Sequence, residues 1–133
     1  MATINPVITQ ILGGYGTDDS GHYIAGTRYQ WGPMANGDVG APAVNAPGFP
    51  DRAMQVFGTF GTGGSVAAEG SNEATPTNWA ALTDPQGNTI AIGSAGVKTV
   101  TEATINFRPH VTAGDGSTSL TVILFFRNTQ QRP

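Results

Sequence analysis

The residues able to do acid–base or metal chemistry are few in this 133-residue chain, and they stand far apart. His22 and His110 lie in different regions and share no metal-ligand spacing. His110, close to Phe107 and Pro109, reads as an exposed or hydrogen-bonded histidine on a strand. Asp18, Asp19 and Asp115 offer loop oxygens of the kind Ca²⁺ takes, but without the carboxylate spacing of a calcium loop, so they read as turn formers. Glu69, Glu73 and Glu102 would serve as an acid and a nucleophile on a glycoside only if the fold brought two of them within several ångströms. No Gly-Lys-Ser/Thr follows the glycine runs, which excludes a phosphate loop, and no serine sits in a nucleophile elbow. Cysteine is absent, and with it disulfides, thiolate metal sites and cysteine nucleophiles. The reading is a chain that is not an enzyme, with no catalytic residue, no metal and no cofactor. Its function must then lie in surfaces.

Aromatic side chains are the next candidates. Trp31, Trp79, Tyr15, Tyr23 and Tyr29 offer stacking faces for a carbohydrate-binding module, or else they are core. Tyr29 and Trp31, immediately before a proline-rich stretch, are the pair expected to be partly exposed beside it. Charge excludes other classes. The formal net charge is −3 and the six basic residues are scattered, so no phosphate-binding patch forms and no nucleic acid is expected. Only 11% of residues are charged, against about 25% in an average domain, which suits a protein that works within an assembly. The first residues lack the basic start and apolar run of a signal peptide, and no stretch reaches the length of a membrane span. The expectation is a soluble chain made in a cytoplasm, with no membrane partner.

The elements that must position these residues are short strands. The 19 glycines and 9 prolines approach the composition of disordered chains, but low net charge and strongly apolar runs argue for a folded domain. Residues 1–12 read as a terminal arm or edge strand broken at Pro6, and His22 to Trp31 as a short strand. Gly32 to Pro50 holds four prolines and no apolar period, so it reads as an extended loop laid across a partner. From Asp51 the period is two. Met54, Val56 and Phe60 share a face, and Gly61-Thr62-Gly63-Gly64 reads as a hairpin into Val66 and Ala68. Asp84-Pro85-Gln86-Gly87 is a turn between Asn78–Leu82 and Asn88–Ile92, with Pro85 preset for its second position. Val97 to Val111 leads to a turn at Gly114-Asp115-Gly116, and Leu120, Val122, Leu124 and Phe126 make the strongest strand. Ile123 and Phe125 make its opposite face apolar too, which fits either a strand covered by a loop or a face buried against another subunit.

Turns every 8–12 residues with no amphipathic helix give an all-β fold class, an antiparallel β-sandwich or jelly roll with an extended Gly/Pro-rich N-terminal region. The expected division is an arm and loop over residues 1–50 that contacts a shell or a neighbour, and a sandwich over 51–133.

Residues 54–126 resemble small structural proteins of tailed phages. The strings that carry the likeness are Glu69-Gly70-Ser71-Asn72, Thr77-Asn78-Trp79 and Asp84-Pro85-Gln86-Gly87-Asn88. Phe107-Arg108-Pro109-His110-Val111 and Gly114 through Val122 add to it. The chain looks like a head decoration (cement) protein. That resemblance implies a β-sandwich or jelly-roll subunit, a homotrimer seated at local threefold positions outside the capsid. Its partners would then be the major capsid protein and itself, and its place the virion exterior after synthesis in the host bacterial cytoplasm. Interface candidates on this reading are Tyr29, Trp31, Pro42, Pro47, Phe49, Ile123 and Phe125. A tail, baseplate or head-fibre component and a carbohydrate-binding sandwich are the alternatives.

Overall fold

The strand periods build two sheets. In the computed structural model, which describes residues 1–14, 22–43 and 51–127, every regular element is a strand. One sheet has five antiparallel strands in the order β2 (Val7–Gly14), β3 (His22–Met34), β11 (Ser119–Arg127), β5 (Asp51–Thr59) and β9 (Gly96–Val100). The other runs β1 (Thr3–Ile4), β4 (Val39–Gly40), β10 (Asn106–Ala113), β6 (Ser65–Ser71) and β7 (Ala80–Ala81), with β8 (Ala91–Ile92) also on β6. Only β1 and β4 pair in parallel. The protein is a β-sandwich.

Alternation decides which side chains fill it. Along β11, Leu120, Val122, Leu124 and Phe126 are buried while Thr121, Ile123 and Phe125 are only half-buried. On β5 the inward set is Arg52, Met54 and Val56, and on β6 it includes Val66 and Ala68. Phe107 of β10 reaches across from the second sheet to Trp31 and Phe126, with ring centroids 6.2 and 6.5 Å apart. Tyr29 stacks on Trp31 at 5.8 Å and meets Phe126 edge-on at 5.5 Å. These offset and edge-to-face contacts are the favoured aromatic geometries, so the four rings lock the two sheets together.

Three expectations are corrected here. The glycine run at 61–64 is not a hairpin, and the turn at 114–116 is of the same kind. β5 and β6 belong to different sheets, as do β10 and β11, so both turns are corners where the chain changes layer. The two corners interlock. Thr62 donates its backbone N–H to Asp115 Oδ2 at 2.8 Å, and Thr118 Oγ1 donates to the Phe60 carbonyl at 2.9 Å. Gly61 sits at φ +69°, and a Cβ there would collide with the Asp115 carboxylate, so two constraints require glycine at this corner.

Second, the expected loop at 32–50 is in part sandwich. β3 continues to Met34, which is fully buried, and β4 joins the second sheet. Ala43 then exchanges backbone hydrogen bonds with Phe107 at 2.7 and 3.0 Å. Asp38 organises the turn, accepting from Ala35 N at 2.9 Å and Ala2 N at 3.0 Å, while Trp31 Nε1 donates to the Ala41 carbonyl at 2.9 Å. Residues 32–43 therefore cannot be removed without taking Met34, Val39 and Ala43 out of the core. Third, the sandwich does not begin at residue 51: β3 is an interior strand of the five-stranded sheet, hydrogen-bonded to β2 and β11. The break at Pro6 is where the chain leaves one sheet for the other.

Candidate interaction surface

The outer face of the five-stranded sheet is assembled by register. Across it, Val7, Gln30, Ile123, Gln55 and Val97 form one row, and Thr9, Arg28, Phe125, Ala53 and Thr99 the next. Ile123 and Phe125 thus occupy the central strand, each flanked on both sides by a neighbouring strand. Phe125 lies over Gly26, where an added Cβ would come within 2.5 Å of its ring. That flanking makes both residues half-buried while leaving their outer surfaces open. Val7 and Val97, at the two ends of the same row, are 66% and 61% exposed, and Phe57, opposite Thr121, is 40% exposed. The charge on these two rows is Arg28, whose guanidinium hydrogen-bonds the Gln30 side-chain carbonyl. Half of the residues on the two rows are polar but only one is charged, and Val7, Ile123, Phe125 and Val97 supply apolar area of the kind a docking surface uses.

At one end the face dips into a cleft of about 650 Å³ lined by Asp51, Ala53, Thr99, Thr101, Phe125 and Arg127. Arg127 Nη2 pairs with Asp51 Oδ2 at 2.7 Å across its rim. Beneath it, Arg52 turns inward, 2% exposed, and donates to the carbonyls of Thr104 and Glu102 at 2.7 and 3.4 Å. Its guanidinium stands 5.0 Å from the Phe126 ring centre, and burial lowers its pKa to about 10.

The other sequence candidates separate into three groups. Tyr29 and Trp31 are 7% and 0% exposed, so they are core of this fold and not part of a partner surface. Their position on β3 places them on the inner face, where Arg28 and Gln30 are outward. Pro42 is exposed beside the Ala43 bridge. Pro47 and Phe49 lie outside the described residues, as do Tyr15, Asp18 and Asp19.

The acidic candidates are each committed to a different hydrogen-bond network. Glu69 accepts from Arg108 Nε at 2.8 Å and contacts His110 Nδ1 at 2.9 Å, and the Arg108 guanidinium stacks 4.3 Å from the Trp79 ring centre. Burial pushes the Glu69 carboxyl up, but the hydrogen bonds and charges of His110 and Arg108 outweigh it and hold the pKa below the ordinary value. Glu73 and Glu102 line one groove of about 530 Å³. The backbone N–H groups of Asn78 and Thr77, the Asn78 amide and the Ser71 hydroxyl lower the Glu73 pKa to about 2. Burial raises that of Glu102, but the Thr83 hydroxyl and N–H bring it below the usual range. A glycosidase acid has its pKa raised so that it carries a proton to the leaving group, and both carboxyls are shifted the opposite way. Among the described residues, no three His, Asp or Glu side chains converge as a metal site would require. Asp115 belongs to the interlocked corners.

Comparison of the chain with protein-family models, with curated proteins and with solved structures gives no match.

What sequence reasoning missed is the breadth of the outer face. Val7, Phe57 and Val97 come from three different strands and join Ile123 and Phe125 only through sheet order. The Glu69–Arg108–His110–Trp79 cluster was missed for the same reason, since Arg108 and His110 lie 39 and 41 positions from Glu69 and meet it only because β6 pairs with β10.

Proposed function

We propose that this chain is a structural subunit of a phage virion, a decoration protein that binds the outside of the capsid and stabilises the shell against the pressure of packed DNA. On this reading it catalyses nothing, needs no cofactor, and has the major capsid protein and copies of itself as partners, in the trimer that the resemblance implies. It contacts neither nucleic acid nor membrane. The observation that carries the proposal is the charge-poor outer face with Ile123 and Phe125 at its centre and Val7, Phe57 and Val97 exposed around them, on a sandwich whose core is packed without it. The turn strings of residues 54–126 supply the direction.

The physics is that of a clamp. Shell subunits separate along their boundaries, and a protein spanning a boundary adds interface that must break first. Each stable attachment needs a contact of roughly 1,000 Å² or more. A trimer on a threefold position repeats the contact three times, so modest single contacts suffice through avidity. Matching symmetry sets the register without charge steering, which fits a surface of so few charges.

The test is copy number in purified virions by quantitative mass spectrometry, scaled to the major capsid protein. Hundreds of copies in a simple ratio to the shell subunit are expected. A dozen or fewer would move the protein to the tail or a vertex, and absence from the particle would overturn the virion reading.

A further inference from the structure

Sheet edges invite pairing, because each presents unpaired backbone N–H and C=O groups to any passing strand. Most edges of this sandwich are blunted. β1, β7 and β8 are two residues long, too short to template a ladder. β9 has five residues, but Lys98 lies in the middle of it, held 3.6 Å from Asp84. β2 has none of these protections. It is eight residues long, carries no charge and no proline from Val7 to Gly14, and among the described residues pairs with β3 on one side only. From Val7 to Ile11 its register against β3 is unbroken.

Both of its faces are also unfinished. Val7 and Ile11 extend the outer rows and are 66% and 39% exposed. Ile8 lies opposite Tyr29, so it continues the inner, core-facing row, yet it is 56% exposed. One further strand beside β2 would cover all three residues and satisfy the open edge together.

We infer that β2 pairs antiparallel with β2 of a second copy, joining two five-stranded sheets into one across a two-fold axis. Three arguments select this occupant. Two-fold pairing sets residues near the axis against their own symmetry mates, and a strand without charge does so without like-charge repulsion. Among the described residues no other edge is long and bare enough to receive β2, so self-association through it must be isologous and must close at two copies. Finally, strand pairing with three apolar side chains from each copy makes an interface at the small end of the specific range, so the contact is weak and concentration-dependent. The inference does not depend on the capsid reading, and it concerns a different contact from the implied trimer.

The absence of cysteine provides the test, because single cysteines can be introduced with no native thiol to compete. Cysteine is placed in turn at Val7, Ile8, Thr9, Gln10 and Ile11 of the full chain, with Val97→Cys on the opposite edge as a control. On the axis the two Cα atoms lie about 4.5–5.5 Å apart, within disulfide reach. Two positions away each residue is separated from its own copy by about four residues of strand, roughly 13 Å, beyond reach. Mild oxidation is therefore expected to give covalent dimers strongly at one position or two adjacent ones, and at neither the rest nor Val97. Uniform cross-linking along β2, or none, overturns the inference. Sedimentation over a concentration series provides the second readout. The expected result is a mass that doubles with concentration, with the midpoint raised about a hundredfold by Val7→Lys with Ile8→Lys. A midpoint unchanged by that pair of substitutions refutes the role of the edge.

Discussion

Trp31→Ala separates the two roles an aromatic beside a proline-rich segment can have. If Trp31 were a stacking platform at the surface, its loss would cost binding and little stability. The structure makes it core: no part of it is exposed, its ring packs against Tyr29 and Phe107, and its Nε1–H satisfies the Ala41 carbonyl. Truncating a buried tryptophan to alanine costs about 3–5 kcal/mol. Leaving the Ala41 carbonyl without its donor adds about 1 kcal/mol. For a domain of this size each kcal/mol moves the melting temperature by about 3–5 °C, so a drop of roughly 15–25 °C is expected. The total remains below the stability of about 7–20 kcal/mol typical of such a chain, so the variant still folds at room temperature. Trp31→Phe keeps one packed ring and loses the N–H donor, and should fall by about a third as much. Thermal unfolding followed by far-UV circular dichroism on the three proteins measures the series. A Trp31→Ala protein melting within about 5 °C of the parent, or melting no lower than Trp31→Phe, would refute the core assignment.

Three further outcomes are expected. Phe125→Asp places a charge at the centre of the outer face, where the side chain is half-exposed, so the chain should still fold while its occupancy on capsids collapses; undiminished occupancy in a virion-binding assay would exclude this face. Gly40→Ala puts a Cβ 2.6 Å from Pro109 Cδ and 2.7 Å from Trp31 Cδ1, and such overpacking costs about 1–3 kcal/mol, read as a lower denaturant midpoint at unchanged slope. Glu73 has its pKa lowered in the folded chain from 4.5 to about 2. The stabilisation is therefore complete above pH 4.5 and lost as the pH falls from 4.5 towards 2. Melting temperatures of the parent should drop through that window more steeply than those of Glu73→Gln, and parallel curves would show that the carboxylate clasp on Thr77 and Asn78 adds nothing.

The parts of this fold that sequence made legible are those set by neighbouring residues. Alternation along β5, β6, β10 and β11 needs only a period of two, and the turn at Asp84–Gly87 needs only its own chemistry: Asp84 Oδ1 accepts from Gln86 N and Asn88 N at 3.0 Å each. What the sequence concealed depends on distant partners. A glycine-rich turn has the same local character whether the next strand joins the same sheet or the opposite one. That Gly61–Gly64 and Gly114–Gly116 are corners is decided by β6 pairing with β10 and β5 with β11. β4 is two residues long, so it shows no period and exists only because β10 and β1 flank it. Tyr29 and Trp31 did carry a usable signal, the polar Arg28 and Gln30 alternating with them, but proximity to the prolines obscured it.

The same dependence on distant pairing runs through the ionisable side chains. Four carboxylates are spent on internal order: Asp38 holds the β3–β4 turn, Asp115 joins the two corners, Glu73 clasps a loop, and Glu69 ties β6 to β10. A carboxylate already saturated by backbone donors has its proton affinity set by the fold and little capacity left for a substrate. The apolar residues behave oppositely. The core closes with Trp31, Phe107 and Phe126, while Val7, Phe57, Val97, Ile123 and Phe125 keep open area on the outer face of the five-stranded sheet. In a chain so sparing of charge, such a face costs solubility when bare, by roughly 25 cal/mol for every Å² of apolar surface left in water. A second molecule that covers it recovers that free energy, which is the physical basis of the assembly role proposed above.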